Sequence, residues 1–376
     1  EFNYDYKSIK NSLEKSNIRV MTRTTAFGLY DNCVVGLIER VSDHFLGIKN
    51  NLPRQRFWTI RAKHIILATG SLERHIAFNN NDTPGVMTAK SASDYLNRYG
   101  LLLGQNILIC TNNDSVYETA TELSKAGSKV EIIDARESVN DELKFIAKEN
   151  DIKINFGKFP YNINGDREVK SLEIAEKNNN YYNVISEKNC DLVLLSGGWS
   201  PVVHLLSHRG VRPEWNSENQ CFLPIDSGEP ITFAGSAQGI WKKDECISSG
   251  ISAGLKAANA LGIKTSNYFF PQPGGWKNKI RPLYEVRMNK NRSKSFVDYQ
   301  HDVTTDDVRL AHREGFISVE HLKRYTTLGM ANDQGKMGNI IGLAVMADLL
   351  DEDISKIGTT VFRPPFTPIS IGSLAG

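Results

Sequence analysis

The sequence predicts an α/β protein of two interleaved, doubly wound domains followed by a small helical domain. Three observations carry this. An apolar strand ending in small residues, His64 to Gly70, and a second of the same kind, Ile231 to Gly235, lie on either side of a complete β-α-β unit running from Asn106 to Asp134. In a doubly wound sheet ligands lie outside the carboxyl ends of the strands, where small residues let a backbone come close. The third observation is a run of helical segments with cap and stop residues between Thr304 and Leu350.

At 376 residues the chain is long enough for two or three domains of roughly 100 to 200 residues each. A formal charge of +2 gives no electrostatic reason to expect nucleic acid or an anionic membrane as a partner. The five cysteines (Cys33, Cys110, Cys190, Cys221 and Cys246) have no CxxC spacing and read as buried thiols of a cytoplasmic protein. No apolar run reaches the roughly 18 residues of a membrane span, and no signal-peptide pattern is present. Glu1 opens the chain and Gly376 closes it just after a Pro-rich stretch, so both ends read as cut.

Residues 7–15 have helical spacing, and a three-stranded meander follows from Ile18 through segments 33–38 and 57–60. After the strand at 64–70, a helix is expected from Thr88 to Tyr99 with Gly100 as its C-cap. Strand 106–110, a helix from about Asp114 to Lys125, a stop at Gly127 and strand 129–133 ending at Asp134 then make a second Rossmann-type unit. An acid in the place of Asp134 is where a ribose would be held. The turn at 111–116, however, has no glycine at any of the positions that permit close pyrophosphate approach. Asn can take positive φ, so the turn itself survives. This second domain reads as a scaffold that has lost its nicotinamide nucleotide, with Asp134 a relic.

Residues 140–190 read as a helix, a strand at 152–156 and a hairpin, and the strand at 190–198 returns the chain to the first domain. His204 and His208 lie four apart with no third ligand spaced to join them, so no metal is assigned. A small-residue-rich helix is expected at 246–261, a linker around 271–276, and helices starting at Thr304, Ser318 and Ile340, the first with Asp307 placed for a capping box. The resulting boundaries are 1–103 plus 186–268 for the first dinucleotide domain, 104–185 for the second, 269–295 for a linker, 296–357 for the small domain and 358–376 for an extended connector.

The segment from Phe296 to Met346 keeps the outline of a small two-iron two-sulfur (BFD-like) module without its sulfur. Such clusters are held by four cysteine thiolates, and the four ligand positions here read Asp298, Gln300, Asp333 and Gly338. Val303, Thr304, Gly329, Met330, Gln334 and Gly335 remain in frame. This cluster-free pattern, with Arg324-Tyr325-Thr326-Thr327, Asn332 to Lys336, Asn81 to Met87 and Arg363 to Pro368, closely resembles the alpha subunit of heterotetrameric sarcosine oxidase. The order of the two strand signatures also resembles two-dinucleotide-domain flavoproteins of the disulfide-reductase type, whose glycine fingerprint would fall before residue 1.

The resemblance implies an oxidoreductase subunit without catalytic residues of its own. It implies that NAD occupies the old FAD site, lined by Ala26, Thr69, Gly70, Gly235, Ser236 and Ala237, since Ser236 replaces the usual flavoprotein aspartate. It further implies FMN at the interface with the beta subunit, faced by Arg324, Thr326, Thr327, Gln334 and Lys336. FAD belongs to the beta subunit, tetrahydrofolate to a C-terminal aminomethyltransferase-type domain, and gamma and delta subunits complete the assembly. In the family sarcosine gives glycine and formaldehyde or methylenetetrahydrofolate, with hydrogen peroxide from oxygen. Two alternatives stay open: an FAD-dependent amine, opine or proline dehydrogenase subunit, and a structural subunit with an empty nucleotide site.

Overall fold

The computed structural model describes residues 11–13, 16–47, 51–179, 181–265, 280–288 and 294–375. The linker signal at 271–276 and most of the expected helix at 7–15 lie outside them. The chain divides into two compact units, Glu1–Lys63 with Arg363–Gly376, and His64–Phe362.

The first unit is the predicted meander: β1 (Thr24–Tyr30), β2 (Val34–Arg40) and β3 (Gln55–Arg61), all antiparallel. Its first strand starts six residues later than Ile18. Phe27, Leu29 and Ile38 are buried, while Trp58 lies beneath the Arg19 and Arg56 guanidinium groups and donates from Nε1 to Glu39 at 2.8 Å. Ser370 and Ser373 hold the C-terminal stretch to this unit by donating to Gln55 Oε1 at 2.9 and 2.6 Å.

In the second unit β4 (Ile65–Leu67), β5 (Ser71–Glu73) and β6 (Val86–Thr88) lead into helix α1 (Ala89–Tyr99), which Gly100 closes at φ 66° as expected. β7 (Asn106–Thr111), α2 (Val116–Lys125), β8 (Lys129–Asp134), α3 (Asp141–Glu149) and β9 (Lys153–Phe156) follow. Next come β10 (Lys158–Asn164), β11 (Ser171–Asn178), β12 (Tyr181–Asn189) and β13 (Leu192–Ser196). The central sheet is parallel, in the order β6-β13-β7-β8-β9. The strand expected to return to the first domain, β13, instead lies between β6 and β7. Its residues are buried on both faces, as the middle of a parallel sheet demands.

The two faces of that sheet take alternate residues. Ile107, Ile109, Val130, Ile132, Leu192 and Leu194 pack against the helices, with Ala92, Ala120 and Leu123. Leu108, Cys110, Ile133, Val193 and Leu195 pack against Phe159, Ile163, Leu172 and Ile174 of an antiparallel sheet β10-β11-β12. That three-stranded sheet replaces the expected hairpin. Period-two side-chain alternation thus gives one strand set two separate cores.

β14 (Trp199–Pro201), β15 (Glu214–Asn216), β16 (Cys221–Leu223) and β17 (Ile231–Phe233) precede the long helix α4 (Lys243–Ala260). After β18 (Phe296–Asp298) and β19 (Val303–Thr304) come α5 (Thr305–Arg313), α6 (Val319–Thr326) and α7 (Asn339–Leu350). The capping box predicted at Thr304 and Asp307 is present, and Ser318 accepts from His321 N–H. Val297, Val308, Leu322, Leu328, Ile341 and Met346 form the core of this helical part.

Candidate functional site

β17 runs parallel to β4, with Ile231 opposite Ile65 and Phe233 opposite Leu67. The turns that leave these two strands therefore emerge side by side. Gly70 has φ 79° and Gly235 φ 66°, values that favour glycine. A Cβ on Gly70 would lie 4.0 Å from Ser236 Oγ and meet nothing nearer, so the two turns line one open cradle of backbone and hydroxyl. Thr69 directs its hydroxyl to Val202 O at 2.6 Å, and Gly235 N–H donates to Ser249 Oγ of α4 at 3.1 Å. Ala237 is fully buried in the same turn. Ala26 lies half-buried on β1 of the first unit, opposite Leu37.

The turn after β7 is different, because its own side chains fill it. Asp134 is fully buried at the end of β8, and Arg136 binds it with Nε and Nη2 at 2.9 and 2.7 Å. The same guanidinium pairs with Asp114 just before α2 and donates to Asn113 O at 3.0 Å. Tyr117 O–H donates to Asp134 Oδ2 at 2.9 Å. Burial pushes the Arg136 pKa down, but the carboxylates of Asp134 and Asp114 outweigh it and raise it. A helix N-terminus that would attract a pyrophosphate thus already carries a paired carboxylate, and Trp199 Nε1 closes the turn by donating to Ser115 Oγ at 2.9 Å. Sequence reasoning missed Arg136 and Asp114; a guanidinium two residues beyond the ribose acid was the available signal.

A four-thiolate cluster does not fit the small domain. Asp298 is buried, and its carboxylate accepts from Gln300 N–H at 2.9 Å, His301 N–H at 3.2 Å and Gly329 N–H at 3.2 Å. Gln300 Oε1 accepts from Asn332 N–H at 3.2 Å, and Asp333 Oδ1 from Gly335 N–H at 3.1 Å. Gly338 packs so closely on Val297 that a Cβ there would overlap the Val297 carbonyl oxygen, so a cysteine has no room. The side chain of Asn339 lies against Gly329 and Gly335 and donates to Thr360 Oγ1 at 3.3 Å.

Among the remaining candidates, Arg324 and Thr327 are exposed, whereas Thr326, Gln334 and Lys336 are half-buried. Thr327 and Gln334 take left-handed backbone conformations, φ 65° and 51°, which are uncommon outside glycine. Arg324 Nη1 donates to Glu320 O at 3.1 Å, Thr326 Oγ1 to Leu322 O at 2.8 Å, and Lys336 Nζ to Asp333 O at 3.0 Å. Burial lowers the Lys336 pKa, which Asp333 partly offsets. His204 is buried on its helical turn, edge-on against Phe362 with ring centroids 3.9 Å apart.

The pyridine nucleotide-disulphide oxidoreductase family model matches residues 5–221, and the sarcosine oxidase A3 domain model matches residues 292–376. The chain is 35% identical over 364 residues to the sarcosine oxidase subunit alpha of Rhizobium meliloti (strain 1021), covering 96% of this chain and 36% of that one. With the subunit of the same name from Corynebacterium sp. (strain U-96) it shares 36% identity over 372 residues, 95% of this chain and 38% of that one. It therefore spans a little over a third of these relatives' length. Among solved structures, L-proline dehydrogenase from P. horikoshii superposes with a TM-score of 0.67 at 18% identity, over 98% of this chain and 68% of its own. At that identity the likeness shows the fold.

Proposed function

This chain belongs to the pyridine nucleotide-disulphide oxidoreductase family and is a homologue of sarcosine oxidase alpha subunits, and on that premise we propose that it is the NAD-holding, non-catalytic part of an amine-oxidising assembly. The reading rests above all on the contrast between its two nucleotide turns. The one at Gly70 and Gly235 is open, while the one at 111–116 is filled by Arg136 and its two carboxylates.

Thr69, Gly70, Gly235, Ser236 and Ala237 are the residues assigned to the dinucleotide. Glycine at both turns lets the backbone come close to a pyrophosphate. Ser236 offers a neutral hydroxyl in place of a carboxylate, which supports NAD over FAD. NAD held here is a bound nucleotide, and the chain's own work is to grip and orient it.

The reaction assigned to the whole assembly oxidises sarcosine with oxygen to glycine, formaldehyde and hydrogen peroxide, or passes the one-carbon unit to tetrahydrofolate. FAD is placed in the beta subunit and FMN between beta and this chain, with gamma and delta completing the complex. Arg324 and Thr327 present an exposed cation and hydroxyl to the flavin, backed by Thr326, Gln334 and Lys336. Cations and donors stabilise a flavin phosphate and a reduced, anionic ring. The five cysteines are free, which suits a cytoplasmic location. The dehydrogenase reading with its own electron-carrying cluster loses support at Gly338, where no thiolate has room.

The deciding experiment is mass spectrometry of nucleotide released from the purified chain after incubation with equal NAD and FAD. Stoichiometric NAD is expected; FAD, or no nucleotide at all, overturns the reading.

A further inference from the structure

Helix α4 meets the nucleotide cradle through two side chains that are not among those assigned to the ligand. Cys246 and Ser249 are three residues apart, so they share one face of the helix. Both are bonded to the tight turn that follows β17, Gly235–Gln238. Ala253, four residues beyond Ser249 on the same face, is buried.

Ser249 Oγ accepts the Gly235 N–H at 3.1 Å and donates to Gln238 Oε1 at 3.4 Å, so one hydroxyl ties the first residue of the turn to the last. Cys246 repeats the arrangement one residue on. Its Sγ accepts from the Ser236 N–H and donates to Ile240 O at 3.1 Å. Burial, and then Glu245, raise the thiol pKa, which keeps the donated proton on the sulfur.

The turn itself supplies little rigidity. Gly239 N–H reaches Ser236 O at 3.1 Å, but Ile240 N–H lies 3.4 Å from Gly235 O, long for a backbone bond. Gly235 and Gly239, at φ 66° and 79°, stand at its two ends, and glycine loses more conformational freedom on ordering than any other residue. Such a segment depends on its neighbours for a single shape. Ser236 Oγ makes no hydrogen bond among the described residues and faces the Gly70 turn, 4.0 Å from where a Gly70 Cβ would stand.

We propose that Ser249 and Cys246 are positioning residues of the nucleotide site, fixing the Gly235–Ser236 turn from α4 in the conformation that presents the Ser236 hydroxyl to the ligand. The inference rests on the reading that NAD lies in this cradle. When only a fraction of the chain holds the competent conformation, apparent affinity falls by that fraction. Loss of either tie therefore weakens binding without removing a ligand contact.

The test pairs fluorescence titration of the purified chain with NAD and amide hydrogen exchange of the nucleotide-free chain. Ser249→Ala is expected to weaken NAD binding about tenfold and to speed exchange at the Gly235 N–H, with its thermal midpoint close to the native one because alanine favours the helix. Ser249→Thr keeps a hydroxyl and should bring NAD affinity back to within about twofold of native, with slow exchange at Gly235. Cys246→Ala should speed exchange at the Ser236 N–H and weaken NAD about fivefold, and Cys246→Ser should reverse both changes. Ser252→Ala, at an exposed position of the same helix, should change neither quantity. Native-strength NAD binding by both alanine variants, or unchanged exchange at Gly235 and Ser236, overturns the inference and leaves the NAD reading standing. Failure of the native chain to bind NAD overturns that reading and this role with it. Should one alanine variant fail to fold, the other and its conservative partner decide.

Discussion

Arg136 closes on Asp134 from two residues away, its Nε and Nη2 lying 2.9 and 2.7 Å from the two carboxylate oxygens, while Nη1 reaches Asp114 across the turn. All three side chains are buried. Removing the guanidinium strands two carboxylates in a low-dielectric interior, and breaking such a buried pair costs about 3–5 kcal/mol. Arg136→Met should lose that much in urea denaturation. Adding Asp114→Asn and Asp134→Asn should recover a large part of it; no recovery would mean that packing of the Arg136 stem, and not charge, holds the turn.

Glu73 gives the fold a pH dependence of known sign. It is buried and accepts from Lys90 N–H at 2.6 Å near the start of α1. Burial lifts its pKa from 4.5 to about 7, with the Lys90 N–H and Ser196 partly opposing. Between those values the folded chain keeps a proton that the unfolded chain has released, so this residue makes stability fall as pH rises through the window and level off above it. At 1.36 kcal/mol per unit the effect is about 3 kcal/mol. Glu73→Gln keeps an acceptor without the charge, so it should be more stable than the native chain at pH 8 and lose that advantage near pH 4.5. Parallel stability curves for the two proteins would refute the assignment.

What the sequence made legible was local chemistry. Gly100 and the Thr304–Asp307 box were readable as caps because each acts within one turn of chain. β10 was not, since Pro160 and Asn162 break the strand signal, and the strand is in fact bulged between them. The place of β13 was also hidden. An apolar strand buried on both faces looks the same whichever sheet receives it. In the site, the paired turns at Gly70 and Gly235 were visible as small residues ending apolar strands. The filling of the second turn was not, because Asp114 and Arg136 are 22 residues apart and meet only in the folded chain. Lys336 read as a cation facing a partner; its position beside Ser200 and His204 depends on packing that no spacing announces.

Gly70→Ala and Asp114→Ala separate the two nucleotide turns. A methyl group on Gly70 has space but sits on a left-handed backbone, costing about 1–2 kcal/mol of stability, and it projects into the cradle. NAD affinity should fall at least tenfold. Asp114→Ala lies in the filled turn and should leave NAD affinity within twofold. Fluorescence titration with NAD measures both, and the reverse ranking would move the nucleotide to the second domain.

The small domain should refuse an iron-sulfur cluster even when its thiolates are restored. The quadruple variant Asp298→Cys, Gln300→Cys, Asp333→Cys and Gly338→Cys has to place a Cβ on the Val297 carbonyl oxygen. Gly338→Ala alone should cost roughly 1–3 kcal/mol from overpacking. Anaerobic incubation of the quadruple variant with ferrous iron and sulfide is expected to yield no visible absorption band from thiolate-ligated iron. A stable brown protein with two irons per chain would show that the loop yields more easily than its packing indicates.

Asp298 holds this part of the chain together without a cluster, and its three acceptor bonds are not equal. Gln300 and His301 are exposed, so water can replace the carboxylate at their N–H groups. Gly329 is buried, and its N–H at 3.2 Å from Asp298 Oδ2 has no such substitute. Asp298→Ala should therefore cost about 1–3 kcal/mol, the penalty for one orphaned buried donor, and not three times that figure. Asp298→Asn keeps one carbonyl oxygen, which the buried donor should capture because it has the most to lose. Amide hydrogen exchange reads the difference directly: the Gly329 N–H should exchange far faster in the alanine variant and close to the native rate in the asparagine variant, while Gln300 and His301 change little. Equal acceleration at all three amides would mean that the loop depends on the negative charge of Asp298 and not on a single buried bond.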